Sequence, residues 1–253
     1  MTLRFASLSS GSRGNALLVE YGETLVMVDC GLTLKATCER LRALDRDPGD
    51  ITALVVTHEH GDHIGGVARL ARRYQIPVAM TPGTRQASGF AGDLRLINCH
   101  RLFQVGELSV QPFPVPHDAR EPCQFVFSGG GKRLGVLTDT GHITTHIGAS
   151  LSECDALAVE ANHDLERLSQ GPYPASVKLR VAGAYGHLNN QQTATLLRDL
   201  KHDGLQWVTA LHLSEQNNDR DTVRHVLSEA LNDAPTELHL ASQNDGCGWL
   251  SIS

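Results

Sequence analysis

The chain has 253 residues, which is long enough to bury a large core within a single α/β domain. Hydrophobic residues make up 41% and charged residues 20%, as in ordinary globular proteins. The net charge of −6 and the lack of a long Lys/Arg run argue against a wide, non-specific nucleic-acid groove, but they allow a small pocket that binds one or two phosphates.

The sequence contains no segment typical of export or of a membrane. The N-terminus predicts a strand rather than a signal peptide, and no apolar run approaches the length of a transmembrane helix. The six cysteines include no Cys-x-x-Cys pair and are too sparse for a disulfide framework. We therefore expect a cytoplasmic protein without membrane contacts.

The first half of the chain alternates apolar strands with helices. Gly22-Glu23 is a hairpin signal, and Thr33 is the expected N-cap of the first helix. Strands are predicted over Leu3–Leu8, Asn15–Tyr21, Thr24–Cys30, Ala53–Thr57 and Pro77–Thr81. Helices are predicted over Leu34–Leu44 and Ile64–Tyr74, and Pro82 begins a third, short helix.

The second half begins with a run of strands and continues with alternating strands and helices. The turn of the last hairpin is predicted at Gly129-Gly130-Gly131. Strands are predicted over Leu108–Val115, Gln124–Ser128, Arg133–Thr138, Ala156–Glu160, Trp207–Leu211 and Glu237–Leu240, and Trp249–Ile252 closes a sheet. The predicted helices are Gln191–Lys201 and Asp221–Leu231.

The two halves share one order of elements, strands first and then strand–helix alternation. This order predicts two mixed β-sheets packed face to face with helices on the outside, a four-layer αββα arrangement of the α/β class. We find no linker or low-complexity segment, so we expect one domain over residues 1–253.

The segment 57–63, Thr-His-Glu-His-Gly-Asp-His, directly follows a predicted apolar strand. Residues two apart in an extended chain point the same way, so His58 and His60 can reach one ion. The glycine after them permits a sharp turn, so Asp62 and His63 can begin a helix and face a second ion. Imidazole and carboxylate together suit zinc, manganese or iron. A solvated polar loop, the alternative, does not account for four candidate ligands so close together.

This segment resembles the His-x-His-x-Asp-His signature of the metallo-β-lactamase superfamily, a group of metal-dependent hydrolases. The resemblance implies that later strand ends supply the remaining ligands. The matching positions are His117 in Val-Pro-His-Asp, Asp139 in Leu-Thr-Asp-Thr-Gly-His and His212 in Ala-Leu-His-Leu-Ser. Asp29 matches a further family position, at which it orients the His-rich loop without binding metal.

The resemblance also implies two divalent metal ions, zinc, manganese or iron. Together they activate water and polarise the scissile ester. The implied arrangement places His58, His60 and His117 on one ion, Asp62, His63 and His212 on the other, and Asp139 between the two.

Other stretches resemble the YycJ-like branch of the superfamily, which is related to RNase Z and RNase J and associated with DNA 5′–3′ exonuclease activity. They are Ser7–Asn15, Val159–Asp164, Gly186–Asn190 and His212–Asn218. Two other branches fit less well, because Asp139 replaces the cysteine ligand of antibiotic-hydrolysing members and the chain ends in strands, unlike the glyoxalase type. Neither a β-CASP insert nor the RNase Z exosite arm is evident, so recognition of an end or of a small phosphodiester is favoured.

Several further residues are candidates for substrate contacts. The Gly-rich loop with Ser10, Ser12 and Asn15 can donate N–H groups and hydroxyls to a phosphate, or be a plain β-turn. His187 can bind phosphate or protonate the leaving oxygen, or be a loop residue before a helix. His163 and His142 are weaker candidates of the same kind. We expect Asp62 and His187 to be the catalytic residues.

These patterns predict a metal-dependent hydrolase, specifically a dinuclear-metal phosphodiesterase or nuclease similar to a DNA 5′–3′ exonuclease. The expected substrate is a nucleic acid or a small phosphodiester. Two alternatives stay open: a hydrolase of a small ester, lactone or cyclic phosphodiester, and a non-enzymatic metal-binding regulatory module. The sequence does not decide the identity of the metal, whether the substrate is DNA or RNA, the polarity of any exonuclease, or the oligomeric state.

Overall fold

A computed structural model describes residues 1–232 and 234–253, and its framework is two β-sheets of seven strands each. In chain order the strands are β1 (Leu3–Ser9), β2 (Ala16–Tyr21), β3 (Thr24–Val28), β4 (Ala53–Val55), β5 (Val78–Met80), β6 (Leu94–Leu96), β7 (Phe103–Val105), β8 (Leu108–Pro114), β9 (Cys123–Gly129), β10 (Lys132–Leu137), β11 (Ala156–Glu160), β12 (Trp207–Leu211), β13 (Glu237–Leu240) and β14 (Cys247–Ile252).

Both sheets are mixed, and each contains one antiparallel and one parallel half. The first sheet has the order β14-β1-β2-β3-β4-β5-β6, and it is antiparallel up to β3 and parallel from β3 to β6. The second has the order β13-β12-β11-β10-β9-β8-β7, and it is parallel from β13 to β10 and antiparallel beyond.

Helices cover the outer faces of both sheets. They are α1 (Leu34–Ala43), α2 (Gly61–Ile64), α3 (Val67–Tyr74), α4 (Pro82–Ser88), α5 (Thr145–Leu151), α6 (Leu165–Gln170), α7 (Ala175–Val181), α8 (Asn190–Leu200) and α9 (Arg220–Ala230), with a 3₁₀ turn at Pro48–Asp50. The hydroxyl of Thr33 accepts a hydrogen bond from the amide of Ala36, so the predicted N-cap of α1 is confirmed.

The main core lies between the two sheets. Phe5 of β1 packs there with Phe125 and Phe127 of β9, and all three side chains are fully buried. Val126, between the two phenylalanines, points the other way and joins the core beneath the outer helices, because successive strand residues face opposite sides. The predicted four-layer fold is therefore confirmed.

The C-terminal strand β14 pairs with β1, so the end of the chain completes the sheet that its beginning starts. Trp207 of β12 in the second sheet also donates its indole N–H to the carbonyl oxygen of Ser251 in β14, at 2.8 Å. The first sheet is therefore completed by a strand from the other end of the chain, whereas the second sheet consists of the consecutive strands β7 to β13.

Some elements differ from the sequence-based expectation. The predicted helix Ile64–Tyr74 is broken into α2 and α3. The break lies where the backbone packs tightly, since the amide of Gly66 donates to the carbonyl of Cys30 and a Cβ there would lie 2.1 Å from the carbonyl oxygen of Leu32. Helices α5, α6 and α7 were not predicted, because their short apolar patterns are weak.

Within the described residues, the structure has no helix that is both long and apolar enough to cross a membrane.

The single domain over residues 1–253 stays a prediction, and the two tryptophans can test it because each reports on a different sheet. Trp207 lies in the second sheet and Trp249 in the first. Since the shared core joins the sheets, we expect each of the variants Trp207→Phe and Trp249→Phe to unfold at a single denaturant midpoint, whether it is followed by circular dichroism or by fluorescence of the remaining tryptophan. Two separate midpoints would contradict the single domain.

Candidate metal centre

The candidate site lies where parallel strands of both sheets end. Five polar residues end or closely follow such strands: Asp29 after β3, His58 after β4, Asp139 after β10, Glu160 at the end of β11, and His212 after β12. The carboxyl ends of parallel strands commonly form the binding edge of α/β proteins. Here the edges of the two sheets meet, so side chains from both reach one centre.

Three of these residues have strained backbones. Asp29, Asp139 and His212 have positive φ angles of 59°, 50° and 52°. A left-handed conformation costs a residue with a side chain about 1–2 kcal/mol. Each residue lies within two positions of a strand end, so the left-handed turn follows the strand and lets the side chain enter the shared centre.

The first cluster consists of His58, His60 and His117. Their ring centroids are 4.6 Å (58–60), 4.9 Å (58–117) and 5.0 Å (60–117) apart. Nδ1 of His117 lies 3.1 Å from the carbonyl oxygen of Gly186, which leaves Nε2 to face the cluster. Nε2 of His58 is buried without a hydrogen-bond partner among the described residues. An orphaned imidazole nitrogen in a histidine cluster fits a metal ligand.

The second cluster consists of Asp62, His63 and His212. Oδ2 of Asp62 lies 3.4 Å from Nε2 of His63 and 3.6 Å from Nε2 of His212. The carboxylate of Asp62 is 25% exposed, whereas both imidazoles are almost fully buried. Asp62 is therefore the member of this cluster that faces solvent.

Asp139 lies between the two clusters. Its Oδ2 is 2.9 Å from Nε2 of His63, and its Oδ1 is 2.9 Å from Nδ1 of His212. It also groups with His58 and His63, with ligand atoms within 4.8 Å of one another. This position between the clusters is the one that a bridging carboxylate requires.

Asp29 contacts the His-rich loop, residues 57–63. Its Oδ1 accepts the backbone N–H of Thr57 at 2.8 Å, and its Oδ2 accepts the Thr57 hydroxyl at 2.7 Å. Oδ2 also lies 2.8 Å from Nδ1 of His63, which leaves Nε2 of that ring to face the centre. Asp29 thus contacts the His-rich loop through both carboxylate oxygens, and its role in orienting that loop stays a prediction.

Glu160 belongs to the site but was not singled out from the sequence. Its carboxylate is fully buried, with Oε1 2.7 Å from Nδ1 of His187 and 3.4 Å from Nδ1 of His212. Oε2 accepts the backbone N–H groups of Thr140 and Leu188, at 3.2 and 3.0 Å. A glutamate that ends an otherwise apolar strand was the available signal, because a buried carboxylate needs charged or hydrogen-bonding partners.

In this buried centre the charges of the carboxylates and of the imidazoles stabilise one another. Burial opposes ionisation of the carboxyl groups, but the imidazoles of His212 and His63 hold the pKa of Asp139 well below its usual range. Burial also opposes charging of those imidazoles, yet Asp139 raises the pKa of His63 and of His212 well above the usual range. Both rings are therefore protonated near neutral pH in the metal-free chain, and binding a metal displaces these protons.

His58 differs electrostatically from these two rings. Burial and the neighbouring His63 lower the pKa of His58 well below the usual range. Burial also lowers the pKa of His117. Both rings are thus neutral at physiological pH, the form that binds a metal ion. The donor set, six residues of imidazole and carboxylate plus a central Asp139, fits a divalent metal centre.

Comparison with known proteins agrees with this fold and site. The family described as "Beta-lactamase superfamily domain" matches residues 24–208. The chain belongs to the metallo-β-lactamase superfamily. It is 34% identical to the exodeoxyribonuclease YycJ of Bacillus anthracis, over 91% of this chain and 90% of that protein. It is 31% identical to the exodeoxyribonuclease WalJ of Streptococcus pneumoniae, over 90% of this chain and 88% of that protein.

Solved structures confirm the architecture. The metallo-β-lactamase fold protein YhfI from Bacillus subtilis superposes with a TM-score of 0.76 at 15% identity, covering 98% of both chains. A diphosphatase from the PhnP family superposes with a TM-score of 0.70 at 18% identity, covering 100% of this chain and 98% of that one. As a member of the metallo-β-lactamase superfamily, the chain is a metal-dependent hydrolase whose histidine and aspartate clusters bind divalent metal.

Two residues of the Gly-rich loop form hydrogen bonds with candidate ligands of this metallo-β-lactamase centre. The Ser10 hydroxyl accepts the backbone N–H of His212 at 2.7 Å. The side-chain amide of Asn15 lies 3.2 Å from Oδ2 of Asp62, and its backbone N–H donates to the Asp62 carbonyl at 2.7 Å. Ser12 is exposed. The observed contacts of Ser10 and Asn15 are thus with candidate ligands, and contact of all three residues with substrate stays a prediction.

The remaining candidate histidines lie outside the four metal-type clusters found among the described residues. His163 is fully buried, and burial lowers its pKa to about 4. His142 is exposed, with Nδ1 2.9 Å from the carbonyl oxygen of Ala184. A substrate contact by His163 would require the surrounding side chains to open.

The glycine that the close packing requires is Gly31, whereas the sequence motif pointed to Gly61. The chain changes from extended at His60 to helical at Gly61, and a Cβ on Gly61 would meet nothing within 4 Å, so this turn does not require a glycine. A Cβ on Gly31 would lie 1.8 Å from the carbonyl oxygen of Asp62. The loop after β3 can approach the metal motif only because residue 31 has no side chain.

These two glycines give a matched pair of variants. We expect Gly31→Ala to weaken zinc binding by roughly tenfold or more, because it must displace the backbone of Asp62. Gly61→Ala, which lies inside the motif, should bind zinc within about twofold of the wild type. Competition with a chromophoric chelator measures both affinities. Unchanged affinity in Gly31→Ala would contradict the packing argument.

Proposed function

We propose that this metal-dependent hydrolase is a phosphodiesterase that removes nucleotides from a DNA end, in the manner of a 5′–3′ exonuclease. The observation that carries the proposal is the His187–Glu160 pair beside Asp139, a proton donor placed next to the metal centre. The two relatives named as exodeoxyribonucleases, which match about nine tenths of the chain, support the same substrate class.

We propose that the centre holds two ions, zinc or manganese. The residues proposed to hold them are His58, His60 and His117 on one side, Asp62, His63 and His212 on the other, and Asp139 between. Divalent ions in this position supply positive charge that polarises the phosphoryl group and favours ionisation of water.

Asp62 is proposed to act on the attacking water. Its carboxylate faces solvent at the centre, while the Asn15 amide and the imidazoles of His63 and His212 lie near Oδ2. His63 and His212 keep the pKa of Asp62 well below the usual range although burial opposes this, so the group stays ionised. It can therefore accept a hydrogen bond from the water and orient it toward phosphorus, while the divalent ions, when bound, would favour release of the water's proton to solvent.

His187 is proposed to protonate the leaving oxygen. Nδ1 lies 2.7 Å from Oε1 of Glu160 and 3.2 Å from Oδ1 of Asp139, and the side chain is 17% exposed. Burial opposes its charging, but Glu160 and Asp139 outweigh it and raise the pKa of His187 to about 9. The ring therefore carries the proton that the leaving nucleotide oxygen needs when the P–O bond breaks.

The site suits an end of a strand rather than the middle of a long duplex. The chain carries a net charge of −6, so it lacks the broad positive surface that non-specific duplex binding requires. We propose that binding is confined to the few phosphates near the centre.

A reducing compartment such as the cytoplasm is proposed as the site of action. All six cysteines lie within the described ranges, and none of them is disulfide-bonded. Five of the six are buried. Disulfide-free chains of this kind are typical of reducing environments.

Substitution of Asp62 tests the chemistry directly. We expect Asp62→Ala to abolish digestion of 5′-labelled single-stranded DNA in the presence of manganese, because it removes both a candidate metal ligand and the carboxylate that orients the attacking water. The fold should be intact by circular dichroism. Asp203→Ala, which removes an exposed carboxylate elsewhere, serves as the control and should keep full activity. Retained digestion in Asp62→Ala would overturn the proposed mechanism.

Comparing the rates on substrates with different leaving groups tests whether His187 is the proton donor. We expect His187→Gln to lower kcat on DNA by about 100-fold or more, because a nucleotide alkoxide leaves poorly without a proton. The rate on methyl p-nitrophenyl phosphate should fall far less, because nitrophenolate leaves without one. The control is His225→Gln, at an exposed histidine on α9. Equal losses on both substrates would show that His187 is not the proton donor.

A further inference from the structure

The exposed apolar side chains of this protein are concentrated next to the metal centre. Large hydrophobic residues that are clearly exposed number seven in the described part of the chain. Four of them, Leu165, Val177, Leu179 and Tyr185, lie within 21 consecutive residues. We call residues 165–186 the rim segment; it contains α6, α7 and the turn that leads to His187.

The rim segment borders the catalytic residues through its backbone. The carbonyl oxygen of Gly186 lies 3.1 Å from Nδ1 of His117, and the carbonyl oxygen of Tyr185 accepts the backbone N–H of Asp118 at 3.0 Å. The backbone N–H of His187 donates to the carbonyl of Val181 at 2.9 Å. Tyr185 is thus next to a residue that orients one candidate ligand and two residues from the proposed proton donor.

Leu168 of α6 is buried, but the side chains of α7 are free of the core. No residue of α7 is buried. Leu179 is 75% exposed and Tyr185 is 62% exposed. An apolar side chain that stays exposed to water gives the folded chain no hydrophobic stabilisation. Scattered exposed residues need no explanation, but a group at the edge of an active site indicates a binding surface.

The charge of the rim segment also differs from that of the whole protein. It carries Arg167, Lys178 and Arg180 against a single acid, Glu166, which makes a net charge of +2, whereas the chain as a whole carries −6. Nε of Arg180 pairs with Oδ2 of Asp118 at 2.8 Å, and both side chains are substantially exposed. An exposed pair of this kind is weak, so a phosphate can compete for the guanidinium.

We propose that Tyr185 and the exposed face of α7 form a stacking surface for the bases of a single-stranded DNA end whose phosphate lies at the metal centre. An exposed aromatic ring beside basic side chains is the combination that binds single strands without sequence preference. This inference rests on the proposed function, because it names the part of the substrate that the rim segment contacts. It makes Tyr185 a residue for binding the polymer, separate from the residues that break the bond.

The position of the rim segment indicates that it binds the DNA strand. The rim segment contacts His117 through the carbonyl oxygen of Gly186 and leads directly into His187, so anything bound to it lies beside the proposed catalytic residues. A strand that delivers its phosphate to the centre therefore passes Tyr185. Stacking on this ring would supply binding energy that the few phosphate contacts of an acidic protein lack.

The test separates binding of the polymer from chemistry on the ester. Steady-state kinetics are measured on a thymidine oligonucleotide and on methyl p-nitrophenyl phosphate, which has no base. We expect Tyr185→Ala to raise KM for the oligonucleotide roughly tenfold, as for the loss of one stacked base, with KM for the small ester within about twofold of wild type. Tyr185→Phe should retain wild-type values, because it keeps the ring.

The matched control is Leu102→Ala, which removes an equally exposed apolar side chain outside the rim segment. It should change neither KM. The stacking surface is overturned if Tyr185→Ala leaves KM for the oligonucleotide unchanged, if both substrates are affected equally, or if Tyr185→Phe behaves like the alanine variant. It is also overturned if Tyr185→Ala only abolishes self-association in sedimentation, since the surface would then bind a second copy.

A binding measurement keeps this inference distinct from the proposed activity. Anisotropy of a fluorescent oligonucleotide is followed with Asp62→Ala protein in the presence of manganese, with and without Tyr185→Ala. Weaker binding in the double variant by about tenfold supports the stacking surface even if no substrate is hydrolysed. Digestion of DNA by the wild type together with unchanged binding in the double variant would support the activity and refute the surface.

Discussion

The buried charge of Asp139 is the constraint on which the site depends. Its carboxylate is 2% exposed and is surrounded by the imidazoles of His63, His187 and His212. An unpaired charge at such a position costs several kcal/mol, so the neighbouring rings must carry positive charge when no metal is present. A divalent ion would meet the same requirement by replacing these protons, and the neutral rings of His58 and His117 are in the form that binds a metal ion.

The same centre joins the two sheets. Asp29 and the His-rich loop follow strands of the first sheet, whereas Asp139, Glu160 and His212 end or follow strands of the second. The strained, left-handed turns at Asp29, Asp139 and His212 are stable only where both sheets are packed. Metal affinity and folding are therefore coupled, since the ligands come together only after the interface between the sheets has formed.

The proposed catalytic groups separate into two roles by their surroundings. Asp62 is ionised and faces solvent, so it suits the attacking water, whereas His187 keeps a proton through Glu160 and suits the leaving oxygen. The rim segment then adds a third role next to His187, contact with the polymer. The proposed chemistry thus lies on Asp62 in α2 and His187 in the loop before α8, whereas the proposed contact with the polymer lies on α7 and on Tyr185 after it.

The sequence by itself determined the fold class and the local metal motif, because hydrophobic period and ligand spacing are properties of neighbouring residues. His117, Asp139 and His212 followed only from resemblance to a family, since nothing in their own segments distinguishes a ligand from a loop residue. Only the tertiary structure decided the role of Glu160, which depends on its distance to His187, and the need for glycine at position 31, which depends on the backbone of Asp62. It also decided the exposure of α7, because whether an apolar side chain is buried depends on what packs against it, and residues distant in sequence decide that.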